Sequence, residues 1–209
     1  MFLSRIAFDR QNSWARQSLK NCHDMHRTIM QAFPDSEAQA RSEYNVLYRL
    51  QVTNDSAIAY VQSKSEPDWN KLLGKGVCVQ GCKNIDNVCN TIKNDMQMCF
   101  NLLVCPTKKQ KREDKNSTRV YLTSPEERFE WLQRKGNDYG FKIISCREQA
   151  ETSTFGTHKQ AEGGNMYLKG VCFTSELCVC DKEKFLIAYR EGIGAEKAYG
   201  FGLLLLSRA

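Results

Sequence analysis

"YNVLYRLQVTNDSAIAYVQS", residues 44–63, sets two runs of alternating apolar and polar side chains on either side of "TNDS" (53–56). Alternation with a period of two reads as half-buried strand, and a cluster of small polar residues between two such runs reads as a turn. The stretch therefore predicts two adjacent strands, 44–52 and 57–63. Before it, "FLSRIAF" (2–8) alternates in the same way and predicts an opening strand. Between them, Trp14 to Phe33 shows helical spacing, with Leu19, Cys22, Ile29, Met30 and Phe33 on one arc at about 100° per residue; Pro34 ends the helix. After it, "PDWNKLL" (67–73) opens a short helix, and "MQMCFNLLVCP" (96–106) supplies a strand closed by Pro106. Strand, helix, strand, strand, helix, strand is the order of a ferredoxin-like βαββαβ unit.

The order then starts again. "TRVYL" (118–122) reads as a strand. "SPEERFEWLQRKG" (124–136) reads as a helix with Ser124 as N-cap and Pro125 at its first position. "GFKIISC" (140–146) is a strand, "MYLKGVCFTSELCVC" (166–180) contains one or two, "DKEKFLIAYREG" (181–192) is a helix and "GFGLLLLS" (200–207) the last strand. The fold class expected is α+β, two tandem ferredoxin-like domains side by side: 1–106, a basic linker over 107–118, and 119–209. Residues 147–165 form a long polar insertion between two strands, and insertions of that kind often carry function.

The chain has 209 residues, 41% hydrophobic and 26% charged, the balance of a folded globular protein. No apolar run approaches the ~20 residues that span a bilayer, and "MFLSRIAFDR" places arginines where a secretory signal needs its apolar core. A cytoplasmic location is expected, and with it ten free cysteine thiols. Cys78, Cys82 and Cys89, and then Cys172, Cys178 and Cys180, lack the paired spacing of a zinc site, so no metal and no cofactor is expected. Net charge is +6, and "TKKQKREDKNST" (107–118) alone carries five basic against two acidic side chains. From the residues alone this is either a solvated loop or a polyanion site.

His26 falls near the centre of the apolar arc of the 14–33 helix and His23 at its edge, so periodicity by itself reads His26 as a hydrogen-bonded core histidine. The four glycines of "GIGAEKAYGFGLLLL" (192–206) similarly read as either a close-packed turn or a cradle for a ligand.

Taken in order, "MFLSRI" (1–6), "MHRTIMQAFP" (25–34), "RVYLTSPEERFEWLQRKGNDYGF" (119–141) and "GIGAEKAYGFGLLLL" resemble the CasE family, the CRISPR repeat endoribonuclease of the type I-E Cascade complex. The resemblance spans both ends and the middle of the chain. It implies two ferredoxin-like domains, metal-independent cleavage of CRISPR repeat RNA at the base of its stem-loop, and retention of the product with other Cascade subunits. Neither a membrane nor DNA cleavage is implied.

The resemblance gives the catalytic role to His26. His23 stands where the family often has tyrosine and is a second catalytic candidate. Imidazole titrates near pH ~6.5 and suits either proton transfer in attack by a ribose 2′-OH on the adjacent phosphate. Such a reaction leaves a 2′,3′-cyclic phosphate and a 5′-OH, and DNA lacks the nucleophile. Gly192, Gly194, Gly200 and Gly202 match the family's glycine-rich loop, which packs on the first domain and shapes the RNA cleft, with Lys197 inside it.

Candidate RNA contacts are Lys108, Lys109, Lys111, Arg112 and Lys115 in the basic segment, then Arg27, Arg119, Lys159 and Lys197. His158 lies in the polar insertion. The family's basic strand stands here as "FNLLVCP" (100–106), without two of its arginines. The rival function on the same fold is a non-catalytic RNA stem-loop binding protein, in which His26 is structural.

Overall fold

The computed structural model describes residues 1–34, 43–112, 115–149, 151–156 and 166–208, with only the backbone of 111–112 and 115–117. The first unit runs β1 (Phe2–Phe8), α1 (Ser13–Lys20), α2 (Cys22–Met30), β2 (Leu47–Val52), β3 (Ala57–Ser63), a short 3-10 helix (Trp69–Leu72) and β4 (Val77–Asn84). Its strands pair antiparallel in the order β2-β3-β1-β4, the ferredoxin-like arrangement. The 44–63 stretch forms β2 and β3 in the register Leu47↔Gln62 to Val52↔Ala57. Ile6, Ala59 and Val61 on the buried sheet face pack with Met25, Ile29 and Phe33 from the helical side. Trp69 closes that core, its indole N–H donating to the buried Ser4 hydroxyl at 3.0 Å.

A short helix, α3 (Asp86–Thr91), leads to the second unit. This comprises β5 (Gln97–Val104), a hairpin of β6 (Thr107–Arg112) and β7 (Lys115–Tyr121), α4 (Pro125–Asp138), β8 (Phe141–Glu148), β9 (Thr152–Gly156), β10 (Met166–Val179), α5 (Lys182–Glu191) and β11 (Leu204–Arg208). The second sheet has the order β11-β5-β10-β8, the same topology again, while β9 pairs with the start of β10. Its core is separate from the first, with Phe100, Leu102, Trp131, Leu132, Phe173 and Phe185 at its centre. The fold is therefore α+β with two ferredoxin-like units, and among the described residues no helix is long and apolar enough to cross a membrane.

Three expectations about the elements are corrected. The strand at 96–106 does not complete the first unit: β5 lies inside the second sheet, between β10 and β11. The fourth strand of the first sheet is β4, whose "VCVQGCKN" is mostly exposed at a sheet edge and so carries no apolar alternation. In β5, by contrast, Met98, Phe100, Leu102 and Val104 are buried in strict alternation. Sheet membership thus divides the chain between β4 and β5, and the 107–118 segment is a hairpin rather than a linker, with "TRVYL" as part of its second strand. The third correction concerns the 14–33 helix, which breaks at Asn21, where the backbone is extended at φ −138° and ψ 124°.

The second unit is held at one end by a buried cation. Arg128 of α4 is 3% exposed; it bonds Glu148 at 2.5 and 3.1 Å and Glu151 at 2.8 Å, and also donates to the carbonyls of Leu122 and Thr123. It therefore ties the start of α4 to the end of β8. Arg128→Met is expected to lower unfolding free energy in urea by about 2–3 kcal/mol, below the ~3–5 kcal/mol for breaking a fully buried pair because Glu148 and Glu151 keep contact with solvent.

Candidate active site

The break at Asn21 builds the site. As N-cap of α2, its Oδ1 accepts from the His23 backbone N–H at 2.9 Å, while its carbonyl accepts from Met25 N–H at 2.9 Å. Capping of this kind satisfies donors that a helix start leaves open. The two short helices are joined by a buried hydroxyl contact, Ser18 Oγ to Thr28 Oγ1 at 2.8 Å. Because α2 starts afresh, a single helical wheel across 14–33 misplaces its side chains. The arc put His26 at the apolar centre and His23 at the edge, but His23 is the buried ring, 7% exposed, and His26 is half-buried with access to solvent.

Both rings meet Tyr199, which sits in a 3-10 turn (Lys197–Tyr199) within the glycine-rich loop. Ring centroids lie 4.9 Å apart for His23 and 6.4 Å for His26, each edge to face. Burial, aided by nearby Cys22 and Glu196, pushes the Tyr199 phenol above its ordinary value, so it is a protonated donor at neutral pH. Tyr199 was not singled out in the sequence; its signal was an aromatic residue inside a glycine-rich run.

The loop reaches this point by close packing on β2. Gly192 has φ +76°, and a Cβ there would stand 2.9 Å from Leu47 Cδ1 and 2.8 Å from the Gly202 carbonyl; Gly200, at φ +91°, would bring one to 3.1 Å from the Tyr48 ring. On the other side β9 closes over α2: a Cβ on Gly156 would lie 2.8 Å from Cys22 Sγ and 2.9 Å from His23 Cδ2.

The basic candidates separate into groups. Lys109 and Arg119 are cross-strand partners in the β6–β7 hairpin and line a groove of about 330 Å³ with Arg134, Lys135, Trp131 and Gly194. Arg134 and Lys135 were missed by sequence reading, where they fell in an amphipathic helix with no motif. Lys108 is turned to α4 and paired with Glu127 at 2.7 Å. Arg27 is exposed, 3.6 Å from Asp24. Lys197 donates to the Glu191 carbonyl at 2.7 Å and so holds the loop to the end of α5. Lys111, Arg112 and Lys115 lie on the hairpin strands, their side chains outside the described residues, as are His158 and Lys159 entirely.

Among the described residues no group of three or more His, Cys, Asp or Glu is arranged to hold a metal ion. The cysteines behave as buried apolar groups where they are enclosed: burial pushes the thiols of Cys105 and Cys146 up to about 11, far from reactive thiolates.

Comparison with known proteins places these features in context. A family model described as CRISPR associated protein matches residues 1–208. The CRISPR-associated endoribonuclease Cse3 of Thermus thermophilus is 28% identical over 215 residues, covering 98% of each chain. A structure of CRISPR endoribonuclease Cse3 bound to 19 nt RNA superposes with a TM-score of 0.86 at 27% identity, over 99% of this chain and 100% of that one. Cas6e of Escherichia coli K-12 shares the fold with a TM-score of 0.76 at 20% identity, over the whole of both chains.

Asn21→Ala is expected to cost about 1 kcal/mol or more in chemical denaturation, from the lost cap. It should also broaden the His23 and His26 imidazole resonances, since it loosens the turn that sets their ring positions.

Proposed function

Since the chain belongs to the CRISPR-associated protein family, we propose that it is an endoribonuclease that processes CRISPR repeat RNA, cutting at the base of the repeat stem-loop without a metal ion. The observation that carries this reading is the meeting of His23 and His26 with Tyr199 at the seam between the two units, where His26 and Tyr199 are partly exposed and His23 is buried. The full-length likeness to Cse3 bound to RNA supports the same substrate.

In this mechanism the ribose 2′-oxygen attacks the adjacent phosphorus while the bond from phosphorus to the 5′ oxygen breaks. His26 exchanges the proton with the attacking hydroxyl or the departing oxygen, as an imidazole can do near neutral pH. His23, buried behind it, assists by holding Tyr199 edge-on, and the Tyr199 phenol donates a hydrogen bond to the charge that builds on the phosphate. The products are a 2′,3′-cyclic phosphate and a 5′-OH. The tyrosine that the family often carries three residues before its histidine is replaced here by a phenol brought from the other end of the chain.

Stem binding falls to the hairpin and α4. A-form RNA hides its base edges in a deep groove, so cations that track phosphates dominate recognition. Lys109, Arg119, Arg134 and Lys135 are such a set. The product then stays bound, and the complex joins other Cascade subunits.

With a synthetic repeat hairpin and excess chelator, one cut at the stem base is expected. His26→Ala should abolish cutting and leave binding within about twofold; normal single-turnover rates in that variant would remove His26 from the mechanism. A 2′-deoxy nucleotide upstream of the cut should bind and remain intact, whereas its cleavage would exclude the proposed nucleophile. Binding without any cutting by the unaltered protein would favour the non-catalytic RNA-binding reading. Arg119→Ala and Arg134→Ala should each reduce the slope of log K against log salt by about 0.7–0.9, measured by fluorescence anisotropy.

A further inference from the structure

β9 and the start of β10 form a two-stranded arm with two unlike faces. The inner face lies on the site. Thr154 lines a cavity of about 250 Å³ beside Tyr199, and a Cβ on Gly156 would meet Cys22 Sγ, His23 Cδ2 and Met166 Cε at 2.8, 2.9 and 3.1 Å. Side chains alternate across a strand, so the residues between these point the opposite way. Phe155 and Tyr167 are direct cross-strand partners there, as are Ser153 and Lys169, and all four are exposed.

The two rings set this outer face apart. Phe155 is 40% exposed and Tyr167 61%. Direct partners in an antiparallel pair stand about 5 Å apart at Cβ on one side of the sheet, so the rings form a single aromatic patch in water. Covering it recovers the free energy of removing apolar surface from solvent. Lys169 follows Tyr167 on the same side, about 7 Å along the strand. Among the described residues it has no ion-pair partner, and Glu151 is engaged by Arg128.

Resting on the nuclease reading above, we propose that this outer face is a stacking platform for an unpaired nucleotide beside the stem base, with Lys169 on a neighbouring phosphate. Rings accompanied by a cation match single-stranded nucleic acid, whose bases stack on aromatic side chains while its phosphates meet the charge. A duplex keeps its base faces inside its own stack, so the occupant is RNA outside the stem. A protein partner fits the face less well. A stable interface covers about 800 Å² on each side around an apolar centre, whereas here two rings stand on a narrow arm beside serine and lysine.

Position supports the same occupant. Gly156, next to Phe155, presses on His23, so only the thickness of the arm separates the platform from the imidazoles. Glu151, just before β9, is bonded to Arg128 of α4, the helix whose Arg134 and Lys135 line the cationic groove. The arm is thus continuous with both the stem-binding surface and the cleavage site. A base stacked on it fixes the path of the strand next to the bond that is cut.

Two measurements test this on the full chain, with a repeat hairpin blocked at the cut by a 2′-deoxy sugar. First, affinities by fluorescence anisotropy are compared for the hairpin with its unpaired flanks and for one trimmed to the stem. Tyr167→Leu, which keeps an apolar side chain on the strand and removes the ring, should weaken binding of the flanked hairpin about 5- to 100-fold, the range for one stacked base. That penalty should vanish on the trimmed hairpin, and Tyr167→Trp should bind the flanked one within about threefold of the parent. Second, 2-aminopurine is placed in turn at the two unpaired positions on each side of the stem base. At one of them its fluorescence should change on binding, and Tyr167→Leu should abolish the change.

Unchanged fluorescence at every flanking position, or a Tyr167→Leu penalty equal on flanked and trimmed hairpins, would assign the rings to packing of the arm or to a protein partner and would overturn the proposal. If Tyr167→Leu fails to fold, Phe155→Leu is read in the same comparison. A protein that binds the hairpin and never cuts it refutes the nuclease reading, while the dependence on the flank still reports on this face.

Discussion

The site depends on one steric constraint, the absence of side-chain atoms where the glycine-rich loop lies on the first sheet. At Gly192 a single added carbon would collide with Leu47 and with the Gly202 carbonyl, and at Gly200 it would press on the Tyr48 ring. The backbone at both positions is also in the left-handed region that other residues avoid. Only because the loop comes this close does Tyr199 reach His23 and His26, some 170 residues away in sequence. Neither ferredoxin-like unit alone contains the site. Its imidazoles belong to one, its phenol to the other, and Gly156 on the β9–β10 hairpin of the second unit presses on the buried histidine.

Other contacts keep the two units from sliding past each other. Gln62 donates to the Tyr189 carbonyl and Asn45 to the Arg190 carbonyl, each at 2.8 Å, where the first unit meets the end of α5. Arg49, almost wholly buried, reaches from β2 to Cys172 Sγ on β10 at 3.4 Å. Charge is distributed unevenly: Lys109, Arg119, Arg134 and Lys135 line a groove formed within the second unit, whereas the cavity beside Tyr199 has no charged lining.

Strong local signals survived into the fold. The 44–63 hairpin, the opening strand and the helix that starts after Ser124 all have their patterns set by neighbours in sequence, and all form where the patterns put them. The errors share a cause. β4 is an exposed edge strand whose order comes from pairing with β1, so its residues show no apolar rhythm; the next strong rhythm, in β5, was assigned to the wrong sheet. Asn21 ended one helix and began another within a run whose apolar spacing barely shows the join, and the burial of the two histidines was inverted as a result.

The amino-acid order by itself determined the strongly patterned strands and helices, the α+β class with two ferredoxin-like units, and a family likeness that spans the chain. Periodicity and turn chemistry are properties of a few consecutive residues, and they are written locally. Tertiary structure alone decided which sheet each strand joined, which histidine faces solvent, and that a tyrosine near the end of the chain completes a site begun near its start. Those outcomes depend on hydrogen bonding and close packing between segments far apart in sequence, where contact is set by the whole fold and not by any neighbouring residue.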